Sequence, residues 1–132
     1  MTTVYRRQAI GDMDTVGRRL EEAVKAHKFG VLGVIDLQAK MKEKGIDFKN
    51  PCRIYEVCNP RIASQVLAKE MAISTALPCR ISLYQEADQV TLATLRPAQI
   101  LCLFDVPDLA AVAEAVEKDI LAMVDEAAGP SA

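Results

Sequence analysis

Four cysteines, Cys52, Cys58, Cys79 and Cys102, and one histidine, His27, are the side chains best suited to nucleophilic, redox or metal chemistry. Cys58 stands out because Asn59-Pro60 follows it. Asparagine caps a helix, and proline at the first helical position gives up no hydrogen bond. Cys58 is therefore expected at a helix N-terminus, where the dipole stabilises a thiolate and lowers its pKa. Cys79 follows Leu77-Pro78 and opens a strand. If the two corners meet, the thiols can form a reversible disulfide, share a metal or flank a ligand. Otherwise both are small buried hydrophobes, the ordinary fate of free cysteine. Glu56 shares a strand face with Cys58 and serves there as a base or ligand, or as an edge-strand charge that discourages aggregation. The candidate catalytic set is thus Cys58, Cys79 and Glu56. The candidate ligand-binding set is Cys58, Asn59, Pro60, Leu77, Pro78 and Cys79.

Other chemistries lack their motifs. A phosphate loop needs clustered glycines at a strand-to-helix turn, and the six present are scattered. His27 falls at a helix end, where a solvated residue stabilised by the helix dipole is expected rather than a general base. No close-spaced ligand pair suggests a metal site, and no cofactor is indicated. The cysteines form no C-x-x-C pair and are expected as free thiols in a reducing compartment. Hydrophobic residues make up 51% and charged residues 26%, with a net charge of −2. That balance supplies no basic face for nucleic acid or anionic lipid. Tryptophan is absent and aromatics are 5%, so a base-stacking platform is not expected. No apolar run approaches the ~20 residues of a membrane helix. No signal-peptide pattern is seen, and the expected location is the cytoplasm.

The elements that must position these residues are legible as periodicities. Residues 3–8 read as a strand. Val16, Leu20, Ala23 and Val24 then mark a helix that Gly30 stops. Residues 31–35 read as a buried strand. Asp36 caps a short helix carrying Leu37 and Met41 inward, ended by Gly45. In the strand 52–57, Ile54, Glu56 and Cys58 share one face, and Tyr55 and Val57 the other. The helix opened by Asn59-Pro60 turns Ala63, Val66, Leu67 and Met71 inward. Cys79, Ile81 and Leu83 oppose Arg80, Ser82 and Tyr84 on the next strand, which turns at Ala87-Asp88 to pair with 90–95 as a hairpin. Arg96-Pro97 breaks that strand, and residues 100–104 form a short apolar turn or helix. Asp105 or Asp108 caps a long helix whose inward residues are Leu109, Val112, Ala113, Val116, Ile120, Met123, Val124 and Ala127. No linker or repeat interrupts this order. One domain over 1–132 is expected, with a tail frayed from about 128. The class is α+β with a mostly antiparallel sheet, one face buried under helices.

Cys58-Asn59-Pro60 opening a helix, then Leu77-Pro78-Cys79 opening a strand, resembles the domain of unknown function 302 family. So do Phe29-Gly30-Val31-Leu32, Ile35-Asp36 with Lys40 and Lys42 beyond, and the segment ending in Pro97. The resemblance runs from Tyr5 to about Val124, and its specificity lies in order and spacing rather than in any one tripeptide. Arg96 departs from it, because an acidic residue is expected before that proline. The resemblance implies a bacterial or archaeal protein with a TATA-binding-protein-like α+β fold. That fold is a curved, mostly antiparallel sheet packed by helices, including one long C-terminal helix. It does not imply DNA binding, because fold does not carry function. It also brings no established activity.

Three functions compete. The first is small-ligand binding or sensing in a pocket between sheet and helices, lined by Met71, Ile81, Leu92, Val112, Val116 and Met123. The second is a homodimeric interaction module that uses an exposed sheet face or edge carrying Tyr5, Tyr55 and Tyr84. The third is a thiol-dependent redox protein using Cys58 and Cys79, which requires a depressed pKa at Cys58.

Overall fold

A computed structural model describes residues 2–130. The chain runs β1 (Val4–Ala9), α1 (Met13–Ala26), β2 (Gly30–Asp36), α2 (Leu37–Glu43), β3 (Cys52–Cys58) and α3 (Pro60–Lys69). A 3-10 turn (Met71–Ala76) leads to β4 (Cys79–Glu86), β5 (Gln89–Leu95) and α4 (Pro97–Leu101). Two further 3-10 turns, Cys102–Phe104 and Pro107–Leu109, precede the long α5 (Ala110–Ala128). The five strands form one antiparallel sheet in the order β1-β5-β4-β3-β2. This is the expected α+β class, with the sheet open at both edges.

Strand alternation decides which side is covered. Tyr55 and Val57, Ile81 and Leu83, and Val90, Leu92 and Thr94 face the helices and are buried. Helix α1 starts where the Asp12 carboxylate accepts from the Thr15 amide at 2.8 Å. Its stripe of Met13, Val16, Leu20, Ala23 and Val24 lies on the sheet beside the stripe of Val116, Ile120, Met123, Val124 and Ala127 on α5. Full burial of each large side chain here contributes about 1.5–3 kcal/mol. Gly17 faces the sheet from α1, where an added Cβ would lie 2.5 Å from the Tyr55 hydroxyl.

Several expectations are corrected. Helix α1 ends at Ala26 rather than at Gly30: Lys28 takes a left-handed φ of 64°, and Gly30 opens β2. β2 is not a buried strand but the sheet edge, with Leu32 62% and Val34 45% exposed and a bulge between Val31 and Gly33. Met71 lies beyond α3 and is exposed. Helix α5 has no side-chain cap; Asp105 adopts a φ of 51°, and Asp108 reaches Lys69 at 3.7 Å instead. Tyr55 is buried under α1 and is not on an exposed face, and the Tyr5 hydroxyl donates to Asp125 of α5 at 2.6 Å. At the tail, Ala128 is buried and its carbonyl accepts from the Ile10 amide at 2.9 Å. The rest of the expected frayed tail, at 131–132, lies outside the described residues.

His27 is not simply solvated. Its Nδ1 lies 2.9 Å from Asp119 and its Nε2 2.7 Å from Glu126, both on α5. A neutral imidazole donates from only one nitrogen, so this arrangement is satisfied by the imidazolium. The hydrogen bonds to Glu126 and then Asp119 raise its pKa above the ordinary 6.5, against a smaller opposing effect of burial. The folded pKa therefore exceeds the unfolded one. The clasp's contribution is complete below the unfolded pKa and is lost as pH rises through the raised value. We predict that wild type exceeds His27→Gln in stability by up to about 1 kcal/mol near pH 6, the carboxylates being partly exposed. The gap should close by about pH 9. Urea titrations of both proteins at the two pH values measure it; a gap that widens with pH contradicts the clasp.

Candidate functional site

The corner ending β3 and the corner starting β4 are neighbours, because Val57 pairs with Cys79 across the ladder. Asn59 caps α3 with its side-chain oxygen, accepting from the Arg61 amide at 3.1 Å and the Ile62 amide at 3.3 Å. Pro60 holds the first helical position. The helix then turns Ile62, Ala63 and Val66 toward the sheet end. Val66 packs with Ile73 and Leu109 in a second hydrophobic cluster, which anchors the return of the chain. A cis Leu77-Pro78 bond delivers Cys79 to β4.

Helix α4 closes the third side. It too begins with proline, Pro97, and Glu117 of α5 accepts from the Ala98 amide at 3.2 Å. This gives a physical account of Arg96. The carboxylate expected just before Pro97 arrives from α5 instead, and Arg96 lies 3.7 Å from Glu117 while its guanidinium covers the Tyr5 ring at 5.2 Å. Together α3, the 70s turn, the strand ends and α4 surround a half-open pocket of about 300 Å³, with Phe29 and Val116 contributing from the core.

Cys58, Asn59, Leu77, Pro78 and Cys79 all line this pocket, so the two sequence corners do converge. Pro60 does not; it is exposed, and its part is to start α3. Glu56 stands on the uncovered sheet face, 3.8 Å from Arg80, and is not on the pocket wall. Of the lining expected between sheet and helices, only Val116 takes part. Ile81, Leu92 and Met123 have no exposed surface, Val112 packs between the clusters, and Met71 points to solvent. The reason is that α1 and α5 fill the covered face with fully buried side chains, and this pocket opens where they stop. Ile62, Ala63, Thr75, Ile100 and Leu101 were not singled out. Their signal was topological: in an antiparallel sheet, the end of β3, the start of β4 and the end of β5 share one side.

The thiols do not behave as the helix dipole alone would suggest. Burial raises the Cys58 pKa, and it pushes Cys79 up to about 11 with help from the neighbouring Cys58 charge. The first amides of α3 already bond to the Asn59 side chain, so they are not available to a thiolate. Both thiols are therefore protonated at neutral pH, which removes the depressed Cys58 pKa that thiol chemistry requires. Cys52 lies elsewhere, 4.0 Å from the Ser82 hydroxyl, and the exposed Cys102 donates to the Gln99 carbonyl at 2.9 Å. Among the described residues, no group of three or more His, Cys, Asp or Glu is placed to hold a metal. None of their helices is long and apolar enough to cross a membrane.

The family described as domain of unknown function DUF302 matches residues 5–127. The crystal structure of an uncharacterized conserved protein DUF302 from Bacillus stearothermophilus superposes with a TM-score of 0.91 and 32% identity. The superposition covers 96% of this chain and 99% of that one. A comparison with curated proteins gave no match.

The thiol environments predict an order of alkylation. With iodoacetamide at about pH 7.5, Cys102 should react first and Cys79 last, by at least about tenfold in rate, because only the thiolate reacts and exposure sets access. Peptide mass spectrometry over a time course reads the order. Fast, selective modification of Cys58 or Cys79 would restore the nucleophilic reading.

Proposed function

The chain belongs to the DUF302 family, and on that footing we propose that it is a small-ligand binding protein whose ligand sits at the end of the sheet, between α3 and α4. The observation that carries this reading is the pocket itself. The chain's two most distinctive corners, Cys58-Asn59 and Leu77-Pro78-Cys79, both contribute to its wall. Its volume lies at the lower end of the range for small-molecule sites, and its lining is mostly aliphatic with few polar groups, as such sites usually are. Neutral thiols suit a binding wall better than a nucleophile, so no reaction is assigned. The reading keeps the protein in a reducing cytoplasm, in line with four cysteines that form no disulfide.

Native mass spectrometry of freshly purified protein should show a small organic compound that leaves on denaturation. Ala63→Phe, which fills the pocket from α3, should abolish that adduct while leaving the melting temperature within a few degrees. A bare polypeptide mass, together with no uptake from a panel of small apolar compounds, ends the reading.

A homodimer is the second reading, favoured by one observation. On the uncovered sheet face, Ile35, Ile54, Ser82 and Ala93 align across four strands in an uncharged row that ends at Arg6 on β1, with Cys52, Tyr84 and Thr91 beside it. Five strands spaced about 4.8 Å apart and about 20 Å long present roughly 500 Å². Two such faces reach roughly the 1,000 Å² at which specific interfaces begin. Analytical ultracentrifugation should then find a dimer that Ile54→Lys converts to a folded monomer. A wild-type monomer at every concentration rejects it.

A further inference from the structure

We propose that the ligand of the sheet-end pocket is an amphipathic monocarboxylate: a hydrocarbon body of about six to ten carbons inside, and its carboxylate at the rim beside Asn59 and Arg80. The inference rests on the binding reading above and adds the chemical class.

Size sets the body. At roughly 30 Å³ per heavy atom of condensed matter, a pocket of about 300 Å³ holds about ten heavy atoms. Ile62, Val66, Leu77, Ile100 and Leu101 offer such a body only apolar contact. Hydrogen-bonding capacity sets the polar end. The Thr75 hydroxyl already donates to the Ala72 carbonyl at 2.8 Å. The Asn59 side-chain oxygen is committed to the α3 amides, which fixes the amide orientation and leaves its NH₂ with two donors to give. Arg80 adds guanidinium donors. Its one charged partner among the described residues is Glu56, at 3.8 Å through Nε, and its side chain is 64% exposed. The unspent polar capacity of the wall is therefore that of a donor, and it calls for an acceptor on the ligand.

Charge selects among acceptors. Among the described residues, Arg80 is the one charged residue on the wall, and Cys58 and Cys79 stay protonated. Glu56, 3.8 Å from Nε, already offsets part of that charge, so the site can meet at most one negative charge, through the outer guanidinium nitrogens. A diacid or a nucleotide brings more charge than the site can meet, and an amine is repelled. Arginine also presents the planar fork that pairs with a carboxylate.

Isothermal titration with octanoate, 1-octanol and octylamine distinguishes the class from the site. Octanoate should bind about fivefold more tightly than octanol, the size expected for an exposed charge pair. Arg80→Gln should remove that advantage and leave octanol binding unchanged, whereas Arg80→Lys should retain most of it. Octylamine should bind most weakly. Arg80 is exposed, so the variants should keep the wild-type melting temperature. Equal binding of octanol and octanoate, untouched by Arg80→Gln, overturns the carboxylate assignment and leaves the pocket as a binding site. Binding of none of the three overturns the pocket reading as well.

Discussion

Gly17 lets α1 approach the sheet until its backbone meets the hydroxyl end of Tyr55. With α1 that close, α5 can lie beside it, and the two helices cover one face of the sheet, leaving β2 partly open at its edge. Leu20 from one helix and Ile120 and Met123 from the other meet Ile81, Leu83 and Leu92 with no solvent contact. The termini of this layer are tied as well. Arg19 donates to the Ala127 carbonyl at 2.9 Å, Arg7 pairs with Asp125 at 2.7 Å, and His27 joins the two helices at the far end of α1. Such a layer is saturated and has no room for a guest. A guest site can arise only beyond the helices, and that is where the pocket lies.

The pocket is thus a by-product of how the connections are built. The chain leaves the sheet at Asn59-Pro60 and again at Arg96-Pro97, and each time a proline begins a helix on the same side of the strand ends. Satisfying these helices shapes the chemistry left over. Asn59 neutralises the orphan amides of α3, and Glu117 does the same for α4, so neither helix offers free amides to a thiolate or an anion. The thiols stay neutral as a result. Asn59 nevertheless keeps its amide hydrogens, and its cap geometry dictates which way they are presented.

Much of this was legible in the sequence. The alternation of Tyr55 and Val57 against Ile54 and Glu56, and of Ile81 and Leu83 against Arg80 and Ser82, separates the two faces of the sheet correctly, although Tyr55 was expected on the exposed one and is buried. The helical stripes of α1 and α5 are equally plain, and five of the six proposed ligand-binding residues line the pocket. The failures share one cause: local pattern does not record what lies across space. Residues 31–35 are aliphatic whether the strand is central or at an edge, and only the pairing order makes β2 an edge. His27 looked like a helix end facing water because Asp119 and Glu126 are about ninety residues away. Cys58 looked activated because the sequence shows the helix N-terminus but neither the burial that raises the thiol's pKa nor the Asn59 cap that occupies the amides. Arg96 looked like a misfit until Glu117 supplied its carboxylate.

The edge at β2 bears on how copies of the chain can meet. Leu32 and Val34 are exposed there beside an open row of backbone donors and acceptors, a surface on which another extended chain would ordinarily add. The bulge between Val31 and Gly33 breaks the even spacing of that row and bends the strand. A straight neighbour therefore cannot continue the ladder for more than a few residues. Strand-by-strand polymerisation into a continuous ribbon is blocked at this edge by backbone geometry, although its side chains are apolar.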